Sequence, residues 1–381
     1  MRRIHTSRPL LGDEEVAAVT DVLQSGWVAQ GPRVAEFERR FAERQAVGHA
    51  VATSSRTTAL HLALVVAGVR PGDDVVVPSY SFVATSNAPT YVGARPVFAD
   101  VDPDTGNLNA ETVQAAMTPR TTAVIAVDQA GVPVDLDPIR DYCDRLAVGV
   151  IEDAASGAGS EYRGSAVGTG ADVTAWSFDP RRVLTTGEGG MLTTRNAAWA
   201  LRARRLREHA GSIADGGALP SGGVAGPVQY AEVGYSYRMT DLQAAVGLVQ
   251  LDRMAEVVAR RRRLAEVYGK AISDIEGLRA VRDPDYGRTN FQSYWVEVLE
   301  DYPVGRDGLI AALGRAGITA TRAMMATHLE PLYSGHSGLV VPLPVTERLS
   351  RRTLVLPLFH QMSESEQQRV IEVLRRPERP W

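Results

Sequence analysis

The chain has 381 residues, of which 44% are hydrophobic and 23% charged, and a formal net charge of −4. That length holds one large domain and a smaller one, and the balance is that of an ordinary soluble protein. The weak negative charge gives no basis for nucleic acid or an anionic membrane as partner, and no run of about eighteen or more apolar residues offers a membrane span. With one cysteine, Cys143, no intramolecular disulfide can form, which fits a reducing, cytoplasmic home. The opening MRRIHTSRPLLGDEE has no apolar signal core, in keeping with that expectation.

Residues 13–25 place apolar side chains at helical spacing behind an acidic first turn, with Gly26 as the stop. A second amphipathic helix is predicted over about 33–46. Alternation of strand and helix then begins. HAVAT (49–53) reads as a strand and 56–69 as a helix. DVVVP (74–78) is a strand, followed by a helix through Ala88. Further strands are expected at 95–100, 122–128 and 149–153, with helices near 109–117 and 136–147 between them. Such spacing predicts an α/β fold with a mostly parallel sheet flanked by helices, closed by 171–178 and 189–194. Residues 211–227 are glycine-rich and read as a flap. A long helix is predicted to end near Ser273, and 292–299, 306–316 and 363–375 then suggest a small α+β domain. The expected division is a large domain over 1–240, and over 241–381 an interdomain helix with a small C-terminal domain.

Lys270 is the only lysine among 41 basic residues. Arginine replaces lysine harmlessly at most surfaces. It does not do so where an amine must act as nucleophile, because a guanidinium stays protonated above about pH 12.

The densest cluster of site-like residues is TAWSFDPRRVLTTGEGGMLTT, 174–194. A β-rich run stops at a polar turn beside a glycine corner, a setting in which small-molecule sites are often built. This stretch resembles the cofactor-lysine segment of the DegT–StrS family of sugar aminotransferases, which are fold-type-I pyridoxal phosphate (PLP) enzymes. Further motifs follow in the same order, among them TTALHLAL (57–64), PSYSFVAT (78–85), IEDAA (151–155), VGYSYRMTDLQAAVGLVQL (233–251) and HLEPLY (328–333). The likeness covers nearly the whole chain. It implies aminotransferase fold type I and a homodimer with its sites at the subunit interface.

The resemblance assigns roles position by position. Asp153 would pair with the cofactor's pyridinium nitrogen and Phe82 would stack on the ring. Ser177 and the Ser55-Arg56-Thr57 turn would hold its phosphate, with helix-terminal N–H groups behind them. His328 would stand on the substrate side, and Tyr235 and Ser236 lie in a loop presented to the neighbouring subunit. Glu188 with its flanking glycines reads as a tight structural turn.

The departures from the family pattern fall on the same positions. Arg182 stands where the Schiff-base lysine is expected, Asp179 in place of a histidine, and Arg56 in place of the phosphate-cup glycine. Ser156 replaces glutamine or histidine, Asp128 a histidine, and Ser236 an asparagine. Without the lysine the cofactor cannot be held covalently. The expectation is therefore an aminotransferase-like enzyme that has lost internal-aldimine chemistry and carries out a step other than transamination, with or without PLP, on an anionic or carbonyl small molecule in secondary-metabolite or deoxysugar biosynthesis. Arg182 would be its clamp and Asp179 its acid or base. Two alternatives stand beside it: noncovalent use of PLP or pyridoxamine phosphate (PMP), and a noncatalytic partner subunit. A buried Asp153 left unpaired would be costly, so Arg182 or Arg56 is expected to supply its counter-charge.

Overall fold

A computed structural model describes residues 3–212, 228–335 and 341–378. The chain opens with two helices, α1 (Asp13–Ser25) and α2 (Pro32–Arg44). The large sheet is then laid down as β1 (His49–Thr53), β2 (Asp74–Pro78), β3 (Arg95–Ala99), β4 (Thr121–Val127), β5 (Gly149–Asp153), β6 (Val173–Ser177) and β7 (Gly190–Thr194). Its spatial order is β1-β7-β6-β5-β4-β2-β3. All neighbouring pairs are parallel except β1–β7 and β7–β6, which are antiparallel. The two strands expected to close the sheet do so by inserting β7 between β6 and the edge strand β1.

Both faces of the sheet are apolar because each strand alternates between two buried layers. In β4, Val124 and Ala126 join one cluster, while Ala123, Ile125 and Val127 join the other. The first cluster collects Phe37 and Phe41 of α2 with α5 (Ala110–Ala116), α6 (Leu136–Asp144) and the first half of α8 (Asp241–Ser273). The second collects α3 (Arg56–Val66), Ala88 of α4 (Val83–Tyr91), and α7 (Ala197–Arg207). The result is a helix–sheet–helix sandwich of fold type I.

A four-stranded antiparallel sheet follows, built from β8 (Leu278–Ala280), β9 (Tyr294–Val298), β10 (Thr321–Arg322) and β11 (Thr353–Leu356), in the order β8-β9-β11-β10. It packs with the second half of α8, α9 (Arg306–Arg315) and α11 (Glu364–Arg375) in a core of its own. The helices α7 and α10 (Pro344–Arg352) and the strands β8 and β11 were not anticipated from periodicity. In α7 clustered arginines obscure the apolar stripe, and α10 is short, with Val345 and Leu349 as its only aliphatic side chains besides Pro344. Most of the glycine-rich flap expected at 211–227 lies outside the described residues; Gly211–Ser212 form a short strand.

Candidate functional site

The parallel strands end side by side, and their last residues form the floor of a cavity, as expected at the carboxyl edge of such a sheet. Register pairs Val127 with Asp153 and Asp153 with Ala175. Asp153 follows Ile151 on the face that packs against α3 and so points toward that helix. α3 starts sharply because Ser55 caps it: its hydroxyl accepts from the Thr58 N–H at 3.2 Å, while Thr58 Oγ1 accepts from the Ser55 N–H at 3.0 Å. Arg56 is therefore the first residue of a fixed helix, opposite Asp153.

The two form a buried ion pair. Arg56 Nη1 donates to Asp153 Oδ2 at 2.6 Å, with side-chain exposures of 10% and 0%. Thr85 Oγ1 donates to the same oxygen at 2.9 Å, and the Ala155 N–H reaches Oδ1 at 3.3 Å. The Arg56 guanidinium also lies 5.9 Å from the centre of the Phe82 ring, within cation–π range. Of the two arginines expected to answer Asp153, it is Arg56 that does.

The turn carrying Arg182 is held from below. Phe178 is fully buried against Phe37 and Phe41, at ring-centre distances of 5.3 and 5.5 Å. The Arg182 N–H donates to the Asp179 carbonyl at 2.9 Å, and Gln292 Oε1 accepts from the Val183 N–H at 2.8 Å. The glycine corner closes it: a Cβ on Gly190 would sit 2.3 Å from the Ser55 carbonyl oxygen, so no side chain fits there. Arg182 Nη1 donates to Ser156 Oγ at 2.9 Å and Nε to Ser177 Oγ at 3.4 Å. Both partners are neutral hydroxyls. Burial and the adjacent Arg56 charge push the Arg182 pKa down to about 10, which still leaves it a cation near neutral pH.

The cavity above this floor has a volume of about 360 Å³. Ser55, Arg56, Thr57, Phe82, Ser177, Asp179 and Arg182 all line it, with Asp153 and Ser156 directly behind the two arginines. Arg181 and Arg322 also face it. Arg181 is answered by Asp179 at 2.8 Å and Arg322 by Asp307 at 2.9 Å. Among the described residues, Arg182 is thus the guanidinium of this wall with no carboxylate partner.

Asp179 is poorly suited to the acid–base role expected of it. Burial would raise its pKa, but hydrogen bonds from the Arg181 side chain and backbone outweigh that and hold it below the ordinary carboxylate value. Its carboxylate keeps Arg181 in place. Proton exchange near neutral pH needs a pKa close to the working pH.

The remaining expected residues do not line this cavity. Asp128 is wholly buried; its Oδ1 accepts from the Val134 N–H at 3.0 Å and its Oδ2 has no partner. Tyr235 stacks on Tyr237 at 4.8 Å, and Ser236 bridges to Glu208. His328 is buried beside a second cavity, where its Nδ1 lies 2.7 Å from Ser79 Oγ. Thr85, Gln292 and Arg322 were missed. Thr85 stands within the PSYSFVAT motif, but nothing local marks the other two, which arrive from the small sheet and its approach.

Covalently held PLP, the cofactor implied by the resemblance, does not fit the residues present. Lys270 has a 77% exposed side chain, pairs with Glu266 at 2.9 Å on α8 and does not line the cavity. The carboxylate that would meet a ring nitrogen is already taken by Arg56 and Thr85.

No helix among the described residues is long and apolar enough to cross a membrane, and no cluster of His, Cys, Asp and Glu among them could hold a metal ion. The chain matches the DegT/DnrJ/EryC1/StrS aminotransferase family model over residues 9–375. Its fold is similar to that of the aminotransferase TlmJ from Streptoalloteichus hindustanus, at 38% identity and a TM-score of 0.89, with 98% of each chain covered. DesI, solved in the presence of its TDP-sugar product, is 32% identical at a TM-score of 0.88, with 98% of this chain and 93% of DesI covered. The putative sugar aminotransferase Spr1654 from Streptococcus pneumoniae, in its PMP form, is 27% identical at a TM-score of 0.89, with 98% and 97% covered. By sequence over nearly its whole length and by fold, this chain belongs to the DegT/DnrJ/EryC1/StrS aminotransferase family.

Proposed function

We propose that this family member does not transaminate. On this reading it binds an anionic or carbonyl-bearing small molecule in secondary-metabolite or deoxysugar biosynthesis, with Arg182 as the clamp. The observation that carries this reading is the pairing at residue 182: a guanidinium held by two serine hydroxyls stands at the turn, and the one lysine lies on the surface of α8. A guanidinium offers two parallel N–H donors to a carboxylate or phosphate and no nucleophilic amine. The likeness to DesI, solved with its TDP-sugar product, supports a sugar-linked or phosphorylated substrate class.

The proposal includes a homodimer. Phe82, Tyr91, Val233, Leu329 and Leu332 are each at least half exposed, an apolar set that a second copy would cover. It also divides the chain near residue 240, between the two sheets and their separate cores.

The test is to incubate the purified protein with PLP, reduce with borohydride and map the modified peptides, alongside sedimentation to count subunits. The reading predicts modification confined to Lys270 and the amino terminus, with no amino transfer to keto-sugar acceptors. Turnover of such an acceptor would overturn it.

A further inference from the structure

We infer that Arg56 is a tethered occupant of the cavity's ring site, and that it sets which ligands the cavity accepts. The inference rests on the reading above and goes further, because it identifies a second barrier to PLP that is independent of residue 182. A planar cation, bonded at 2.6 Å to a wholly buried carboxylate and lying 5.9 Å from an aromatic ring, occupies the surroundings that a protonated heteroaromatic ligand would need. Thr85 completes the arrangement by donating to the same oxygen. Any external cation seeking Asp153 must first displace a guanidinium held at the first turn of a capped helix, whose effective concentration at the carboxylate is far above that of a free ligand.

The consequence is a change in the charge the cavity presents. With Asp153 answered from within, the wall has one guanidinium left to answer, Arg182 between Ser156 and Ser177. The cavity therefore rejects cationic rings and takes oxyanions. In this protein, restoring an amine at residue 182 is not enough to restore a pyridine site. The guanidinium on Asp153 has to leave as well.

Three variants test this: Arg56→Gly, Arg182→Lys, and the two combined. PMP, which has no aldehyde to react with surface amines, is titrated by calorimetry. PLP with borohydride and peptide mapping reports covalent capture at residue 182. The wild type is expected to show no saturable PMP binding, and Arg56→Gly to bind PMP at least about tenfold more tightly. Arg182→Lys alone should leave residue 182 unmodified, whereas the combined variant should be modified there. Circular dichroism checks the fold. If Arg56→Gly does not fold, Arg56→Ser replaces it, and Arg182→Lys alone is decisive without either. Capture of PLP at residue 182 in that single variant would overturn the inference. So would a folded Arg56→Gly with no gain for PMP. The inference and the functional reading fail separately: wild-type transamination sinks the reading, while a single Arg182→Lys that loads readily beside an inert wild type sinks only this inference.

Discussion

Two buried carboxylates at neighbouring strand ends have been treated oppositely. Asp153, at the end of β5, is fully enclosed and answered by Arg56, Thr85 and a backbone N–H. Asp128, just past the end of β4, is equally enclosed, yet one of its oxygens has no partner. Burial and the neighbouring Glu152 and Asp153 charges raise the Asp128 pKa well above its usual value. Glu152 is pushed from 4.5 to about 7, chiefly by burial. A counter-charge has been built in on the side of the sheet that faces the cavity. At Asp128 and Glu152 burial instead disfavours the charged form. The contrast indicates that Asp153 sits where a strong electrostatic demand had to be met, and that Arg56 meets it.

The comparison can be broken most forcefully at Arg56. Arg56→Met should cost about 3–5 kcal/mol in denaturant unfolding at neutral pH, because it strands a buried charge. The loss should shrink when Asp153→Asn is added. Equal stability of Arg56→Met and wild type would remove the contrast.

Asp128→Asn should act in the opposite direction. A carboxyl whose folded pKa exceeds its unfolded one contributes stability in full below the unfolded value and loses it as pH rises through the folded value. For Glu152 that window runs from 4.5 to about 7. The Asp128 shift has the same direction, so Asp128→Asn should stabilise more at pH 8 than at pH 5 and flatten the slope between them. Thermal melts across that range would show it, and a loss of stability at pH 8 would count against a burial penalty on the Asp128 charge.

Two smaller effects sharpen the picture. Arg182→Ala should change stability by less than about 1 kcal/mol, since only hydroxyls are left behind, but should abolish any thermal stabilisation by added phosphate or carboxylate ligands. Lys270→Ala should lie within about 0.5 kcal/mol of wild type, as expected for an exposed i,i+4 pair, and should remove one surface site of PLP labelling.

How much of this was legible in the residues differs between scaffold and site. The seven strands of the large sheet could be read because β-rich runs bounded by turn residues alternate with helical periods. The registers that bring Asp128, Asp153 and Ser177 to one edge follow from that topology. The family resemblance then marked Arg56, Arg182 and Asp179 as departures. It could not say which arginine meets Asp153, because Arg56 lies 97 residues away from it in the chain and only packing of α3 against the sheet decides the pairing. Nor could it show that Asp179 is committed to Arg181, since two adjacent arginines offer the same local pattern. His328 sits in a matching motif, yet it turns to a separate cavity beside Ser79.

A guanidinium from the protein's own chain occupies the floor of the cavity. A crystal structure of the wild-type protein soaked with PMP tests it most directly. Arg56 should remain hydrogen-bonded to Asp153, with no pyridine ring between that carboxylate and Phe82. A ring nitrogen within hydrogen-bond distance of Asp153, with Arg56 swung aside, would contradict it.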